Sequence, residues 1–469
     1  MSTRGLAETG VEQRRGGGLF GSEFAALTFA IVALITVIAF ESMAVSTAMP
    51  EVAVELDAVR SYGLAFSVML TTQLLGIVLA GVWCDRSGAL PSLLAGQVLF
   101  ALGCGLCGGA TEFSVFLAGR AVAGLGAGLT FVAGFVVIGR AYPEALRPKV
   151  FSVISAAWVL PSLVGPVIAG WVTSTWSWRW VFWMVVAPVA VALVVLVLRR
   201  GQIRAADAGL EATSRDHRAH VRAAWLGLGI AVSAGLMQWG THELELEWSP
   251  RTVGGLIGLL GVVLCAPRLL PAGMFTLRRG LPSVMLSRFF LPCAFFGTIT
   301  YVPLMLTGER GLTLAQAGSL LAIGSIGWSL GSWVQGRDAF AGRRDRLVVL
   351  GGATLAVGLA GVVLVTWAGW WPWFVALPLA VAGLGMGLGT ASLSVLALSL
   401  TPPADHGSAS SSLQLSDVLG SVIGIAATGA VFAALHTRAG EDVPAFVAMW
   451  CGTAAVATLV VVAGRRIRT

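Results

Sequence analysis

Apolar runs of about twenty residues recur along nearly the whole chain, and this recurrence restricts the fold more than any other feature of the sequence. A helix of that length spans a hydrocarbon core of roughly 30 Å and satisfies its own backbone hydrogen bonds in lipid. Fourteen such runs are readable, the first near 24–49 and the last near 445–464. With 57% hydrophobic and 11% charged residues, the chain is too apolar for a soluble globular domain. An all-α polytopic membrane protein is therefore predicted.

Basic residues concentrate in alternate connecting segments, at Arg14 and Arg15, Arg86, Arg140 and Arg147, Arg199 to Arg222, Arg278 and Arg279, Arg343 to Arg346, and Arg465 to Arg468. Such residues stay on the cytoplasmic side of membrane helices, so both termini are expected there and the number of crossings is even. The same pattern accounts for the net charge of +7, and no nucleic-acid partner is implied. The first 20 residues are polar and Gly-rich, and the run that follows is too long for a signal-peptide core. It is expected to be a retained first helix. Cys104 and Cys107 form a CxxC pair without a polar neighbour, which favours helix packing over metal or redox chemistry. The five histidines fall in loops or at helix ends, and no metal site is expected.

One phrase occurs twice. AVAGLGAGL at 121–129 returns as AVAGLGMGL at 380–388, 259 positions later. A phosphate loop would need a strand before it and a helix start after it. Here Gly124 and Gly128, like Gly383 and Gly387, lie inside apolar runs at GxxxG spacing, which lets a neighbouring helix approach closely. A second echo, GVWCDRSG from Gly81 and GSWVQGRD from Gly331, has nearly the same separation. Duplication of a six-helix unit follows. The expected organisation is a tail over 1–23, a six-helix bundle over 24–198, a linker over 199–220, an extra transmembrane hairpin over 221–270, a second six-helix bundle over 271–464 and a tail over 465–469. Repeated halves with a site at their interface are a plan of secondary transporters.

An ionisable group in hydrocarbon costs several kcal/mol unless paired or wetted. Four stand out: Glu41, Arg120, Arg288 and Asp417. Glu41 lies nine residues before Pro50, about 13 Å from that helix end, and Arg120 lies eight residues after Glu112, about 12 Å from its own. The matching depths make them a candidate pair. Arg288 and Asp417 each lie about 10 Å inside the other ends and form a second candidate pair. Glu41 is the first proton-coupling candidate, its proton exchanging as its cavity opens to either side, with a cationic substrate competing for the carboxylate. A static ion pair is the alternative. Asp417 is the second coupling candidate, or else holds Arg288 or a cytoplasmic gate. Among polar residues at membrane depth, Thr71, Thr72, Gln73, Gln238, Thr298, Thr300 and Gln414, interhelical hydrogen bonding competes with substrate contact. Gln73, Gln238, Thr298 and Gln414 are kept as substrate-binding candidates. Tryptophans in WAGWWPW suit an interfacial belt, and HELELEW at 242–248 suits a solvated loop.

These segments resemble the major facilitator superfamily, and within it the fourteen-helix drug:proton antiporter branch. GVWCDRSGALPSL resembles the family's loop motif after the second helix, with Gly81, Asp85, Arg86 and Gly88 matching. FLAGRAVAGLGAG resembles its fourth-helix motif, LVGPVIAGW its antiporter motif with Gly165, Pro166 and Gly170, WSWRWVFW the entry to its sixth helix, and ESMAVSTAMP its first-helix motif. The sequence departs from the pattern at Ala89, Leu90 and Pro91, where basic residues usually stand, and at Ser416 and Asp417, where the branch often carries Arg and Gln. The resemblance implies a major facilitator fold with two six-helix bundles and a two-helix central insertion. It implies a proton-coupled exporter of amphipathic or lipophilic small molecules such as drugs or antibiotics, working by alternating access as a monomer in a bacterial inner membrane. Asp85 and Arg86 would then serve gating, and Gly165 and Pro166 would bend the fifth helix where the bundles meet. The partners implied are substrate, protons and membrane lipids, with the proton gradient as energy source and no cofactor. Export of lipids or lipid-like metabolites with weak or no proton coupling is the alternative. No catalytic constellation is present: the sequence has no HExxH, nucleophile elbow or nucleotide loop.

Overall fold

Helices make up nearly all of the computed structural model, which describes residues 21, 24–143, 146–208, 217–241, 250–270, 273–402, 406–437 and 440–467. The expectations for the first 20 residues and for the loop at 242–248 lie outside the described residues. In chain order the helices are α1 Ala25–Glu55, α2 Tyr62–Ser87, α3 Ala89–Gly108, α4 Phe113–Ala141, α5 Arg147–Thr175, α6 Arg179–Leu198, α7 Arg200–Ala208 and α8 His217–Thr241. They continue with α9 Pro250–Leu269, α10 Leu281–Ile299, α11 Val302–Gly308, α12 Leu314–Gln335, α13 Arg344–Trp367, α14 Ala376–Ser399, α15 His406–Leu435 and α16 Val443–Gly464. Twelve spans among the described residues are long and apolar enough to cross a membrane, with α10 and α11 counted as one. Two further helices, α5 with 29 residues and α8 with 25, are as long but are not among those twelve.

Two boundaries differ from the sequence expectation. α1 continues through Pro50 to Glu55, so Glu41 sits near the middle of its helix. The missing proline N–H forfeits one ladder bond, which neighbouring helices make tolerable in a membrane protein. The run expected at 281–306 is instead broken at Thr300 and Tyr301. Pro303, in the first turn of α11, has no N–H with which to carry the ladder on from α10.

Helix direction alternates, which gives the bundle two ends, one marked by Tyr62 and the other by Gly88. In the first half α4 packs on α2 and α3, and α1 on α5 and α6; in the second, α14 packs on α12 and α13, and α10 on α15 and α16. The repeated phrase forms the equivalent seam in each half. A β-carbon at Gly124 would meet the carbonyl oxygen of Met69, and one at Gly128 that of Gln73, both on α2. At Gly383 and Gly387 it would meet the carbonyls of Gly324 and Trp328 on α12. The middle glycines, Gly126 and Gly385, press on the backbones of α3 and α13. One nine-residue face thus joins three helices, twice.

The halves meet along α5 with α12 and along α2 with α15. α8 and α9 form an antiparallel hairpin, and α8 lies on α2 and α15.

Candidate functional site

Near the middle of the first half, α1 supplies Glu41 and α4 supplies Arg120. The close α4–α2 packing allows Arg120 Nε to donate to the Ala65 carbonyl of α2 at 2.8 Å, using that oxygen's second lone pair. Arg120 Nη1 donates to Glu41 Oε1. Only 3% of the Arg120 side chain and 1% of the Glu41 side chain are exposed. Glu41 Oε2, equally buried, accepts no hydrogen bond from the described residues. The carboxylate therefore has one oxygen held by the guanidinium and one with free lone pairs.

The second half builds its charges differently. Leu379, buried on α14, stands where the first half has Arg120. Its arginine comes from α10: Arg288 Nε lies 2.9 Å from Asp417 Oδ1 on α15, and Arg288 Nη1 donates to the Thr390 carbonyl on α14 at 3.0 Å. At 10% and 24% side-chain exposure this pair is wetter than the first. α15 starts at His406, four residues before the expected start, so Asp417 lies about 6 Å deeper than its sequence estimate.

Several polar candidates bond to each other. Gln238 Nε2 on α8 donates to Thr71 Oγ1 on α2 at 2.8 Å, and the Thr298 and Thr453 hydroxyls lie 2.7 Å apart between α10 and α16. Such bonds contribute on average about 0.6 kcal/mol each in a membrane protein. Thr72 bonds back to the Val68 carbonyl of its own helix, Thr300 is buried at the end of α10, and Gln73 and Gln414 are half-buried.

In the loop motif, Asp85 lies in the last turn of α2 and Arg86 is exposed there. Gly88 joins α2 directly to α3 with φ 80° and ψ 172°, a region only glycine occupies at low cost. Gly81 faces open space. Gly88→Ala is expected to lower stability by about 1–3 kcal/mol through backbone strain, whereas Gly81→Ala meets no steric penalty. Thermal unfolding of both variants in detergent checks the contrast. In the antiporter motif, α5 runs as one helix through Pro161 and Pro166. Pro166 abuts Gly318 and Gly170 abuts Ala315, both on α12 across the interface, while Gly165 faces Phe40 and Met43 of α1. Cys104 and Cys107 are buried free thiols.

Sequence reasoning missed three features. The rings of Tyr62 and Tyr301 lie 5.2 Å apart, and those of Tyr301 and Phe432 5.3 Å, a stack that joins the halves at the Tyr62 end. At that end Glu55 accepts from Trp178 Nε1 at 2.7 Å and from Arg179, which also reaches the Ala110 carbonyl at 3.0 Å. Gln97 of α3 donates to Thr130 of α4 at 2.9 Å. These partners are far apart in the chain, and no spacing rule links them.

Comparison with known proteins follows the same lines. A family model described as Major Facilitator Superfamily matches residues 31–425. An uncharacterized MFS-type transporter of Mycobacterium tuberculosis (strain ATCC 25618 / H37Rv) is 26% identical over 428 residues, covering 87% of this chain and 59% of the relative. The multidrug transporter protein MdtP of Bacillus subtilis (strain 168) is 25% identical over 293 residues, 60% of this chain and 52% of that protein. The chain thus spans between half and two thirds of the length of these relatives. Among solved structures, a POT family transporter in complex with 5-aminolevulinic acid superposes with a TM-score of 0.69 at 15% identity, covering 96% of this chain and 98% of that one. A D-xylose-proton symporter gives 0.62 at 16% identity, covering 93% and 97%. Identities this low speak for a shared fold.

Proposed function

Because the chain belongs to the Major Facilitator Superfamily, we propose that it is a membrane transporter rather than an enzyme, and specifically a proton-coupled exporter of amphipathic or lipophilic small molecules. The observation that carries this reading is the buried Glu41–Arg120 pair, present in one half only, with Glu41 Oε2 free to take a proton or face a cation. Names of relatives such as the multidrug transporter of Bacillus subtilis support the substrate class.

In this reading α5 and α8 also cross the membrane. Their 29 and 25 residues correspond to about 43 and 37 Å, enough for a hydrocarbon core, and the total becomes fourteen, as in the drug:proton branch. An even count puts both termini on one side, and the basic connecting segments assign that side to the cytoplasm of a bacterial inner membrane, with the Gly88 end inside and the Tyr62 end outside. The protein works as a monomer. The glycine contacts between halves, Gly63 with Tyr301, Gly170 with Ala315 and Gly318 with Pro166, all fall toward the Tyr62 end. The closest backbone contacts between the bundles thus lie toward the outside, which fits one state of an alternating-access cycle. Protonation of Glu41 weakens its hold on Arg120 and frees α1 to move against α4.

Asp417 serves as a gate partner of Arg288 rather than as the coupling site, since the pair is partly solvated and links α10, α14 and α15. In liposomes containing a pH-sensitive dye, Asp417→Asn is expected to slow lipophilic-cation flux and proton flux together at an unchanged ratio. Loss of proton movement with substrate flux retained would move coupling to Asp417. No proton movement with any cation, together with lipid transport that survives Glu41→Gln, would favour lipid export.

A further inference from the structure

The two seams between the halves are built in opposite ways. On the α5–α12 side, backbone meets backbone: Gly170 against Ala315, and Gly318 against Pro166. From Gly324 onward the glycines of α12 turn to α14, where Gly327 meets Ala380 and Gly331 meets Leu384, so the contact with α5 is confined to the Tyr62 end. Nothing among the described residues covers this side. Leu160, Val164, Val167 and Trp171, at helical spacing along α5, are exposed, as are Ile326, Leu330 and Trp333 of α12.

On the α2–α15 side, toward the Tyr62 end, a small crevice remains between the halves, lined by Arg60, Ser67, Tyr301 and Ala426 and walled by Gln238 of α8. A polar crevice open to hydrocarbon would strand its hydroxyl and peptide groups without partners. α8 covers it. Gly227, Ala231, Ala234 and Gln238 recur at four- and three-residue steps on a buried face of α8. Gly227 lies against Val78, Gln238 bonds to Thr71, and Ile230 and Ala234 share one apolar cluster with Leu74 of α2 and Leu415, Val418 and Val422 of α15. The opposite face of α8, through Trp225, Val232 and Trp239, is exposed. The hairpin is thus apolar outside and carries its one amide where the crevice is.

We propose that the α8–α9 hairpin is a lateral wall that closes the α2–α15 side of the inter-bundle space to the membrane, so that a lipophilic substrate exchanges with the bilayer only on the α5–α12 side. The wall is latched by Gln238 on Thr71 and seated by Gly227 on Val78. The substrate half of this statement rests on the proposed export function; the wall itself does not.

The full chain in phosphatidylcholine and phosphatidylglycerol vesicles containing a lipid with a diazirine in its acyl chain provides the test, with adducts mapped by mass spectrometry after irradiation and no substrate added. Adducts are expected on Leu160, Val164 and Trp171, on Ile326 and Leu330, and on Trp225 and Val232, and on neither Ser67 nor Ala426. In Gly227→Leu, which wedges α8 away from Val78, adducts appear on Ser67 and Ala426 while those on α5 are unchanged. Adducts on Ser67 or Ala426 of the native chain at the frequency found on Leu160 would overturn the wall. So would a monodisperse Gly227→Leu protein whose adduct map equals the native one. If Gly227→Leu does not fold, the native map decides alone. A native map as expected in a protein that moves no lipophilic compound would refute the export reading and leave the wall standing.

Discussion

Glu41→Gln is expected to abolish substrate-dependent proton movement into dye-loaded liposomes, because it keeps the shape of the side chain and one acceptor oxygen but replaces the titratable carboxyl with a neutral amide. The variant also leaves Arg120 buried without a counter-charge, with only neutral acceptors such as the Ala65 carbonyl. Removing one partner of a buried ion pair costs about 3–5 kcal/mol, so a loss of folded protein could imitate a loss of coupling. The double variant Glu41→Gln/Arg120→Gln separates the two effects. Its neutral pair can exchange amide hydrogen bonds, and its stability is expected to recover most of the loss while proton movement stays at background. A double variant that folds and still drives protons with substrate would place coupling elsewhere, with Asp417 next in line.

The second large effect is steric and strikes both halves alike. Gly124→Val and Gly383→Val are each expected to lower stability by at least about 1–3 kcal/mol, the range for overpacking a close-packed site. In both cases the atom in the way is a backbone carbonyl oxygen, of Met69 or of Gly324, which cannot rotate aside as a side chain would. Gly134→Ala, on the same helix as Gly124 but facing open space, is the control and gains up to about 1 kcal/mol in helix propensity. Thermal unfolding followed by size-exclusion in detergent gives all three values. Similar losses at Gly124 and Gly383 would mark the phrase as duplicated packing. A large loss in one half alone would mean that the two seams are not equivalent.

Much of this arrangement was legible in the chain because it depends on local properties. Apolar length gave the membrane helices, and the repeated phrase gave the equivalence of α4 with α14, since a GxxxG face has one use in an apolar helix. The four charges at membrane depth were visible as costs without a visible partner. The depth estimates for Glu41 and Arg120 came within reach of the pair that forms, although Pro50 does not end α1 as expected. The break at Tyr301 was missed because it depends on one proline in a run whose composition is otherwise that of a single helix. The Tyr62–Tyr301–Phe432 stack left no trace in spacing or composition.

By itself the sequence determined the solvent, the duplication and the positions of the charges, because hydropathy and glycine spacing act over one or two helical turns. The tertiary structure decided which helices meet across the halves. It decided that Arg288 of α10, rather than a residue at the position of Leu379, carries the charge of the second half, and that α8 lies over α2 and α15. Those choices depend on which faces fit when glycine seams have set the helix separations, and that fit is a property of the assembled bundle rather than of any segment within it.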